Sequence, residues 1–219
     1  KCGGCSLRHI SYESELSVKD NMVRNAFKRI GGVEPQFEEI LGCDETDYYR
    51  NKAQYPVSKI DGKAVFGFYA QRSHRVIPFA DCRLQPEIFA EISKKVLEIA
   101  VKKGISPYDE TSNTGLLRHI FLRRGYHSGE IMLCLVVRKN CIREIKSLAN
   151  EIIPLYPEIK TVVMNINPNK TNVIMGKETE TIFGDGFIFD EMCKNKVKLA
   201  PEAFYQVNTK QAERLYEIA

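Results

Sequence analysis

Apolar residues recur at helical spacing near the start of the chain and again in three later stretches. Steps of three and four residues from Leu16 to Ile30 predict one apolar helix face over residues 12–30, and Gly31-Gly32 ends the pattern. The same reasoning predicts further helices over residues 86–103, 141–153 and 209–219.

Between these helices the pattern is that of strands. "YRNKAQYPVSK" and "KAVFGFYA" flank the turn signal Asp61-Gly62 and predict a hairpin, and "LLRHIFLRR" and "EIMLCLVVR" flank "GYHSG" in a second one. The apolar run in "EIMLCLVVR" predicts a strand buried on both faces. "KTVVMNI" predicts another strand, and short strands fill residues 171–200. We therefore expect an α+β fold, with an antiparallel or mixed sheet and flanking helices.

Composition narrows the class of protein. The 219 residues are 43% hydrophobic and 27% charged, as in folded domains. No apolar stretch approaches the roughly 20 residues that span a bilayer, and no cationic and apolar leader opens the chain. Seven cysteines, an odd number, do not suggest a secreted disulfide framework. We expect a cytoplasmic protein that has no membrane partner.

The net charge of +4 is unevenly distributed. Residues 33–47 contain six acidic and no basic residues, whereas residues 48–76 contain six Lys or Arg and one Asp. A local positive field of this kind favours phosphate binding, although such runs are equally often solvated faces.

The opening "KCGGC" places Cys2 and Cys5 at a spacing that can chelate a metal. A single CxxC also fits a redox pair, and no second CxxC or HxxxH completes a zinc site. Cys82, in a basic and aromatic neighbourhood before a predicted helix, is the best further candidate to join them. Cys134, inside an apolar strand, is expected to be a core residue.

Six segments, in order, resemble one known family: "CGGCSLRHISYESELSVKDNMV", "YRNKAQYPV", "GFYAQRSHRVIPFADCRLQP", "LRHIFLRRG", "NINPNKTNVIMG" and "PEAFYQVN". Together they are similar to the S-adenosylmethionine-dependent RNA (uracil-5-)-methyltransferases, specifically the bacterial 23S ribosomal RNA type. The resemblance covers nearly the whole chain.

The resemblance implies a domain organisation. That family has an OB-like N-terminal domain, a central α+β domain and a C-terminal Rossmann-like methyltransferase domain. The chain then divides into a cysteine segment (1–11), a helix with an acidic linker expected to pack on the catalytic domain (12–47), a central RNA-recognition domain (48–200) and the start of the methyltransferase domain (201–219). Because both ends of the chain look cut, we expect a fragment.

The resemblance also implies a [4Fe–4S] cluster, for which Cys2, Cys5 and Cys82 match three of the family's four cysteine ligands. The fourth, upstream ligand has no counterpart in the sequence.

In "FYQVN" the resemblance makes Gln206 a contact to S-adenosylmethionine and Phe204 a wall for a uracil that has left its stack. Without the resemblance, Phe204 is more simply a core residue and Gln206 a helix-entry residue. The family's reaction uses a cysteine thiolate that adds to uracil C6, after which C5 takes the methyl group and a carboxylate base removes the C5 proton. Those two residues match nothing up to Ala219, so no catalytic residue is assigned and we expect this fragment to be inactive alone.

RNA contacts are expected from a set of basic residues along two predicted strands and their turns, with nearby tyrosines available for stacking. For any single arginine, a surface salt bridge is the simpler interpretation. Arg118 and His119 would lie on opposite faces of a regular strand. The candidate RNA contacts, besides Phe204, are Arg50, Lys52, Arg72, His74, Arg75, Arg118 and Arg123, and the candidate stacking residues are Tyr48, Tyr49, Tyr55 and Tyr69.

The sequence thus predicts part of an enzyme that makes 5-methyluridine in 23S ribosomal RNA, with this part recognising RNA and supplying cluster ligands. Three alternatives stay open: transfer RNA as the substrate, a stand-alone RNA-binding module with a zinc or redox CxxC, and an iron–sulfur or redox protein that binds no nucleic acid. The apolar face of the 12–30 helix is also expected to permit self-association.

Overall fold

A computed structural model of the chain describes residues 2–79 and 82–219, so two residues of the motif "PFADCRLQP" lie outside the described residues. The fold is α+β, as the sequence predicts. The helices are α1 (Tyr12–Ala26, continued by a π-helical turn over Phe27–Gly31), α2 (Glu87–Lys102), α3 (Ile142–Ile152, followed by a 3₁₀ turn over Ile153–Leu155) and α4 (Thr209–Ile218). The strands are β1 (Lys52–Ile60), β2 (Lys63–Tyr69), β3 (Val76–Pro78), β4 (Leu117–Arg124), β5 (Ile131–Val137), β6 (Ile159–Ile166), β7 (Glu178–Phe183), β8 (Ile188–Met192) and β9 (Asn195–Leu199).

Seven strands form one mixed sheet in the order β3-β2-β1-β4-β5-β6-β7, and β8 and β9 form a separate hairpin. Neighbouring strands of the large sheet are antiparallel except β5 and β6, which are parallel and joined through α3. The two predicted hairpins are confirmed as β1–β2 and β4–β5.

Strand β5 lies at the centre of the core, and each of its residues is fully buried. Alternate residues point to opposite faces of a strand. Leu133 and Leu135 therefore pack with α2 and α3, whereas Met132 and Cys134 pack on the other face with residues that include Tyr205. The predictions of a strand buried on both faces and of Cys134 as a core residue are confirmed.

The two edges of the large sheet differ. β3 is only three residues long. β7 is longer, and its first residues, Glu178, Thr179 and Glu180, are exposed.

Helix α1 begins and ends as predicted, but it lies on the surface. The helix is capped at its start by the Ser11 hydroxyl, which accepts a hydrogen bond from the Ser14 N–H at 3.2 Å. It is followed by Gly32 at φ +65°, a left-handed backbone conformation that residues with a side chain rarely adopt. None of its residues is buried, and the exposed fractions of Met22 and Ile30 are 65% and 88%.

The acidic segment after α1 is held against α4. The Arg214 guanidinium donates to the Gly42 carbonyl at 2.8 Å, and the Lys210 ammonium lies 3.5 Å from Asp44 and 3.2 Å from Glu45. Charge complementarity thus fixes a segment that the sequence suggested was a linker. In the described residues, no helix combines the length and apolar character required to cross a bilayer.

Candidate functional site

The loop over residues 200–208 carries Phe204 and Gln206, and Asn51 attaches it to the start of β1. The Asn51 backbone N–H donates to the Val207 carbonyl at 2.9 Å. Its side-chain amide donates to the Gln206 carbonyl at 2.9 Å and to the Thr209 hydroxyl at 3.0 Å. One asparagine, 5% exposed, therefore fixes the loop to the sheet by three hydrogen bonds.

Arg123 holds the other end of this loop. Its guanidinium donates to the carbonyls of Ala200 and Ala203, each at 2.7 Å. The side chain is 2% exposed, and burial lowers its pKa. In this structure the predicted RNA-contacting group of Arg123 is directed to the protein backbone, where it shapes the segment that carries Phe204.

A buried carboxylate fixes the middle of the loop. Asp190, 3% exposed, accepts hydrogen bonds from the backbone N–H groups of Tyr126, His127 and Ser128 and from the Tyr205 hydroxyl. Burial, and then the bond to Asp190, raise the pKa of Tyr205, which keeps its hydroxyl protonated. Tyr205 thus anchors the loop from the residue between Phe204 and Gln206.

The two candidate ligand-binding residues of the loop differ in exposure. Phe204 is 84% exposed, so the interpretation of this residue as part of the core is wrong. Gln206 is half-buried, and its amide N–H donates to the Tyr216 hydroxyl at 3.3 Å. An aromatic face open to solvent beside a carboxamide can stack on a planar ring and hydrogen-bond its edge.

Lys52 and Arg50 form a cationic group next to this loop. Lys52 lies directly opposite Arg123 in the β1–β4 pairing. Burial, then the charges of Arg123 and Arg50, lower the pKa of Lys52. The repulsion between Lys52 and these two arginines costs free energy, and an anion bound between them would recover it.

The cysteine segment lies along the end of β2. Cys2 forms an isolated bridge with Ala70, and the Gly3 N–H donates to the Tyr69 carbonyl at 2.9 Å. All seven cysteines lie in the described ranges, and each is a free thiol.

The candidate metal-ligating thiols share one neighbourhood. Burial raises the pKa of Cys5, followed by the charges of Cys82 and Cys2. The Cys82 thiol donates to the Gln85 carboxamide oxygen at 2.7 Å. Within residues 2–79 and 82–219, however, no three His, Cys, Asp or Glu side chains are grouped closely enough to hold a metal ion. The three thiols suit an iron–sulfur cluster in chemical type and neighbourhood, but not in their spacing in this structure.

A second group of predicted residues borders a cavity of about 830 Å³ at the other end of β1 and β4. Arg72 and His74, both exposed, line it. The His74 imidazole lies 2.7 Å from the Glu110 carboxylate and stacks on Tyr69 at a ring-centroid distance of 5.3 Å. Arg75, one residue further on, is exposed.

Arg118 forms part of the wall of this cavity. Its guanidinium donates to the carbonyls of Asn167 and Asn169 at 3.0 and 2.7 Å, and it lies 4.3 Å from the centre of the Tyr108 ring. At 4% exposure, Arg118 orders the "NPNKT" loop as well as facing the cavity.

Sequence reasoning missed several residues on which both regions depend. Asn51 and Asp190 have no local motif, because their partners are distant in sequence. Tyr108 and Glu110, which lie in the segment between α2 and β4, also line the cavity. Only the polar residues inside otherwise apolar strands, such as His119 in "LRHIFLRR", were a visible signal.

No family model matches the chain. Two proteins named as uncharacterized RNA methyltransferases are similar over all or nearly all of it. The one from Bacillus cereus is 39% identical over 218 residues, which cover 99% of this chain and 47% of that protein. The one from Halalkalibacterium halodurans is 38% identical over 220 residues, covering 100% and 48%. The chain spans about half the length of the curated relatives that it matches.

Among solved structures, the tRNA (uracil-54, C5)-methyltransferase of Pyrococcus abyssi, in complex with S-adenosyl-L-homocysteine, has the same fold. The TM-score is 0.79 at 22% identity, and the match covers 100% of this chain and 50% of that one. The chain is thus similar from end to end to about half of a set of RNA methyltransferases.

Proposed function

We propose that this chain is the RNA-recognition part of an S-adenosylmethionine-dependent RNA methyltransferase that makes 5-methyluridine. The observation that carries the proposal is the similarity over the whole chain to proteins named as RNA methyltransferases. The match to the fold of a uracil C5-methyltransferase supports it.

In this proposal, the 200–208 loop meets the reacting groups. Phe204 presents its exposed ring to the target uracil, and the Gln206 carboxamide contacts S-adenosylmethionine. Asn51, Arg123 and Tyr205 hold the loop at fixed points, so the two side chains keep a set separation before either ligand arrives.

Phosphates of the RNA would lie over the cationic residues. Arg50 and Lys52 flank the loop, and Arg72, His74, Arg75 and Arg118 surround or adjoin the cavity. The loop and the cavity lie at opposite ends of the β1–β4 pair, so a single strand of RNA could contact both. Arg123 would act on RNA through the loop that it shapes.

Brought closer together than they lie in this structure, the three thiols would hold an iron–sulfur cluster as a structural group. Cys2, Cys5 and Cys82 would be its ligands in this chain, which would join the N-terminal segment to the residues before α2. The longest protein that the gene encodes, purified without oxygen, is then expected to contain about four irons per chain. Cys82→Ser should remove them and Cys43→Ser should not. Equal iron in both variants, or zinc in place of iron, would count against the cluster.

The proposed function is tested by measuring methyl transfer by the longest protein that the gene encodes. With labelled S-adenosylmethionine, we expect 5-methyluridine in a 23S ribosomal RNA transcript and less or none in transfer RNA. The 219-residue chain alone should bind RNA and transfer no methyl group. A bacterial cytoplasm, where both substrates occur, is the expected setting.

Matched variants connect the reaction to the loop. Phe204→Ala and Gln206→Ala should each reduce methyl transfer by about a hundredfold, whereas Tyr126→Ala, a change at another exposed aromatic residue, should not. Methylation of transfer RNA alone would change the substrate assignment. The absence of methyl transfer to either RNA would contradict the proposed function.

A further inference from the structure

The cavity beside Arg118 is well separated from the loop that carries Phe204. In the β1–β4 pairing, Lys52 faces Arg123 at the loop end and Pro56 faces His119 at the cavity end, a distance of about 13 Å along the strand. The cavity has a volume of about 830 Å³, which is ample for one nucleotide.

The wall of the cavity offers aromatic surfaces. Tyr69 stacks on His74 with an angle of 26° between the rings, whereas Tyr108 is buried, at 8% exposure, beneath the Arg118 guanidinium. Tyr69 is half-buried, and its pKa is raised by burial and then by Glu110. Such platforms bind the faces of unpaired bases without requiring a particular sequence.

His119 adds an unusual polar group to this wall. Its side chain is 6% exposed, and neither ring nitrogen has a hydrogen-bond partner among the described residues. Burial, and then Arg118, lower its pKa to about 3, so the imidazole is neutral at physiological pH. Both ring nitrogens are buried, so a base edge can pair with one of them only if the wall opens slightly, and that pairing would recover the free energy lost by leaving a donor and an acceptor unused.

The charges around the cavity favour a phosphate at its rim. The Asp109 carboxylate accepts hydrogen bonds from its own turn, and Glu110 is paired with His74. Lys59 and Arg72 are exposed on the lining, and neither forms an ion pair within residues 2–79 and 82–219. Both carboxylates thus already have hydrogen-bond or ion-pair partners, whereas Lys59 and Arg72 are free to bind a phosphate.

We propose that this cavity binds one unpaired nucleotide of the substrate RNA, a different nucleotide from the uracil that is methylated. The base stacks against the aromatic wall at Tyr69, and the phosphate meets Lys59 and Arg72. The inference rests on the proposed function and deepens it, because it adds a second recognition point on the same RNA.

Two cavity variants test the proposal on the 219-residue chain. Asn172→Trp places a large side chain on an exposed lining residue, and Asn150→Trp, at an exposed asparagine of α3, is its matched control. His119→Phe keeps the ring shape and removes the nitrogens. The probe is a fluorescein-labelled 12-nucleotide single-stranded RNA of mixed sequence, with the same RNA as a duplex for comparison.

We expect Asn172→Trp and His119→Phe to weaken single-strand binding by about tenfold. Duplex binding should not change, and Asn150→Trp should match the wild type in both. Thermal unfolding provides a check, because His119→Phe should unfold at the same temperature as the wild type or higher. Single-strand affinity within about twofold of the wild type in both cavity variants would overturn the proposal.

The same titrations separate the two hypotheses. Salt-dependent RNA binding that the cavity variants leave unchanged would refute the cavity proposal and leave the proposed function standing. No RNA binding by the wild type would refute both. Photocrosslinking with 4-thiouridine RNA provides an independent readout: adducts at Tyr69 or Tyr108 support the cavity, and adducts confined to the Phe204 loop contradict it.

Discussion

Arg118 and His119 are consecutive residues of β4, yet both line the same cavity. Neighbours on a regular strand point to opposite faces. The pairing with β5 is irregular here, because Leu117 faces Val137 and His119 faces Val136, so Arg118 is one residue in excess. This bulge redirects a side chain, as bulges commonly do near functional sites.

The buried imidazole should make stability depend on pH. His119 has a folded-state pKa of about 3 and an ordinary value of 6.5, so the unfolded chain binds its proton more readily. The contribution of His119 to the free energy of unfolding is therefore complete above pH 6.5 and is lost as the pH falls toward 3. Between pH 6 and pH 4 the loss should be about 2 kcal/mol. Urea unfolding at a series of pH values measures it.

His119→Phe is the reference for that experiment, because carboxylates also contribute to acid unfolding. The free energy of unfolding should fall less steeply below pH 6 in the variant than in the wild type. Parallel curves would mean that His119 is solvated or partnered in the folded state.

Arg123 should be needed for the stability of the Phe204 loop. Lysine cannot reproduce its two-pronged donation, so Arg123→Lys should lose one of the bonds to Ala200 and Ala203. We expect the free energy of unfolding to fall by about 2 kcal/mol. Arg124→Lys, at the half-buried next residue, is the matched control and should change little. Equal effects of the two substitutions would contradict this role.

Asp190 and Tyr205 should behave as one unit. Asp190→Asn replaces an acceptor that serves three backbone N–H groups and one hydroxyl, and should cost about 3 kcal/mol of unfolding free energy. Tyr205→Phe should cost about 1 kcal/mol. The double variant should cost less than the sum, because the two share a bond. Strict additivity in chemical denaturation would show that they act independently.

Lys52 should contribute to RNA affinity through charge alone. Lys52→Gln is expected to weaken binding about equally for RNAs of different sequence and to reduce the slope of log affinity against log salt by about one. Lys177→Gln, at an exposed lysine outside both basic groups, should leave the slope unchanged. A sequence-dependent loss in Lys52→Gln would instead indicate a contact to a base.

The exposed face of α1 should cause weak self-association. Met22 and Ile30 are 65% and 88% exposed on a helix without buried residues. Sedimentation velocity should show an average mass that rises with concentration in the wild type and stays monomeric in Met22→Glu/Ile30→Glu. Ser17→Glu, on the same helix, should resemble the wild type. If the wild type is monomeric at every concentration, the prediction of self-association is wrong.

Local signals in the sequence predicted most of the fold. The Asp61-Gly62 turn, the Ser11 cap and the apolar run of β5 each depend on neighbours in the chain, and each is found as expected. Helix α3 was placed within a residue or two of its observed bounds. These features need no knowledge of tertiary contacts.

The site was less accessible to sequence reasoning, because its geometry comes from distant contacts. Arg123 looked like a surface cation, and only its bonds to carbonyls 77 and 80 residues away place it inside the protein. The parallel pairing of β5 and β6 likewise depends on how α3 crosses the sheet. The bulge at Arg118 arises because β4 has one residue more than β5 at this point of the pairing, and neither strand's sequence alone predicts it.

The edge strand β7 has a consequence for how concentrated solutions of this protein should behave. An open sheet edge is a template for growth by strand addition, which can lead to fibrils. In β7, Glu178 and Glu180 would face like charges on an identical strand docked in parallel, in-register pairing, and β3 at the opposite edge offers only three residues. The sheet is thus protected at both ends against edge-to-edge polymerisation.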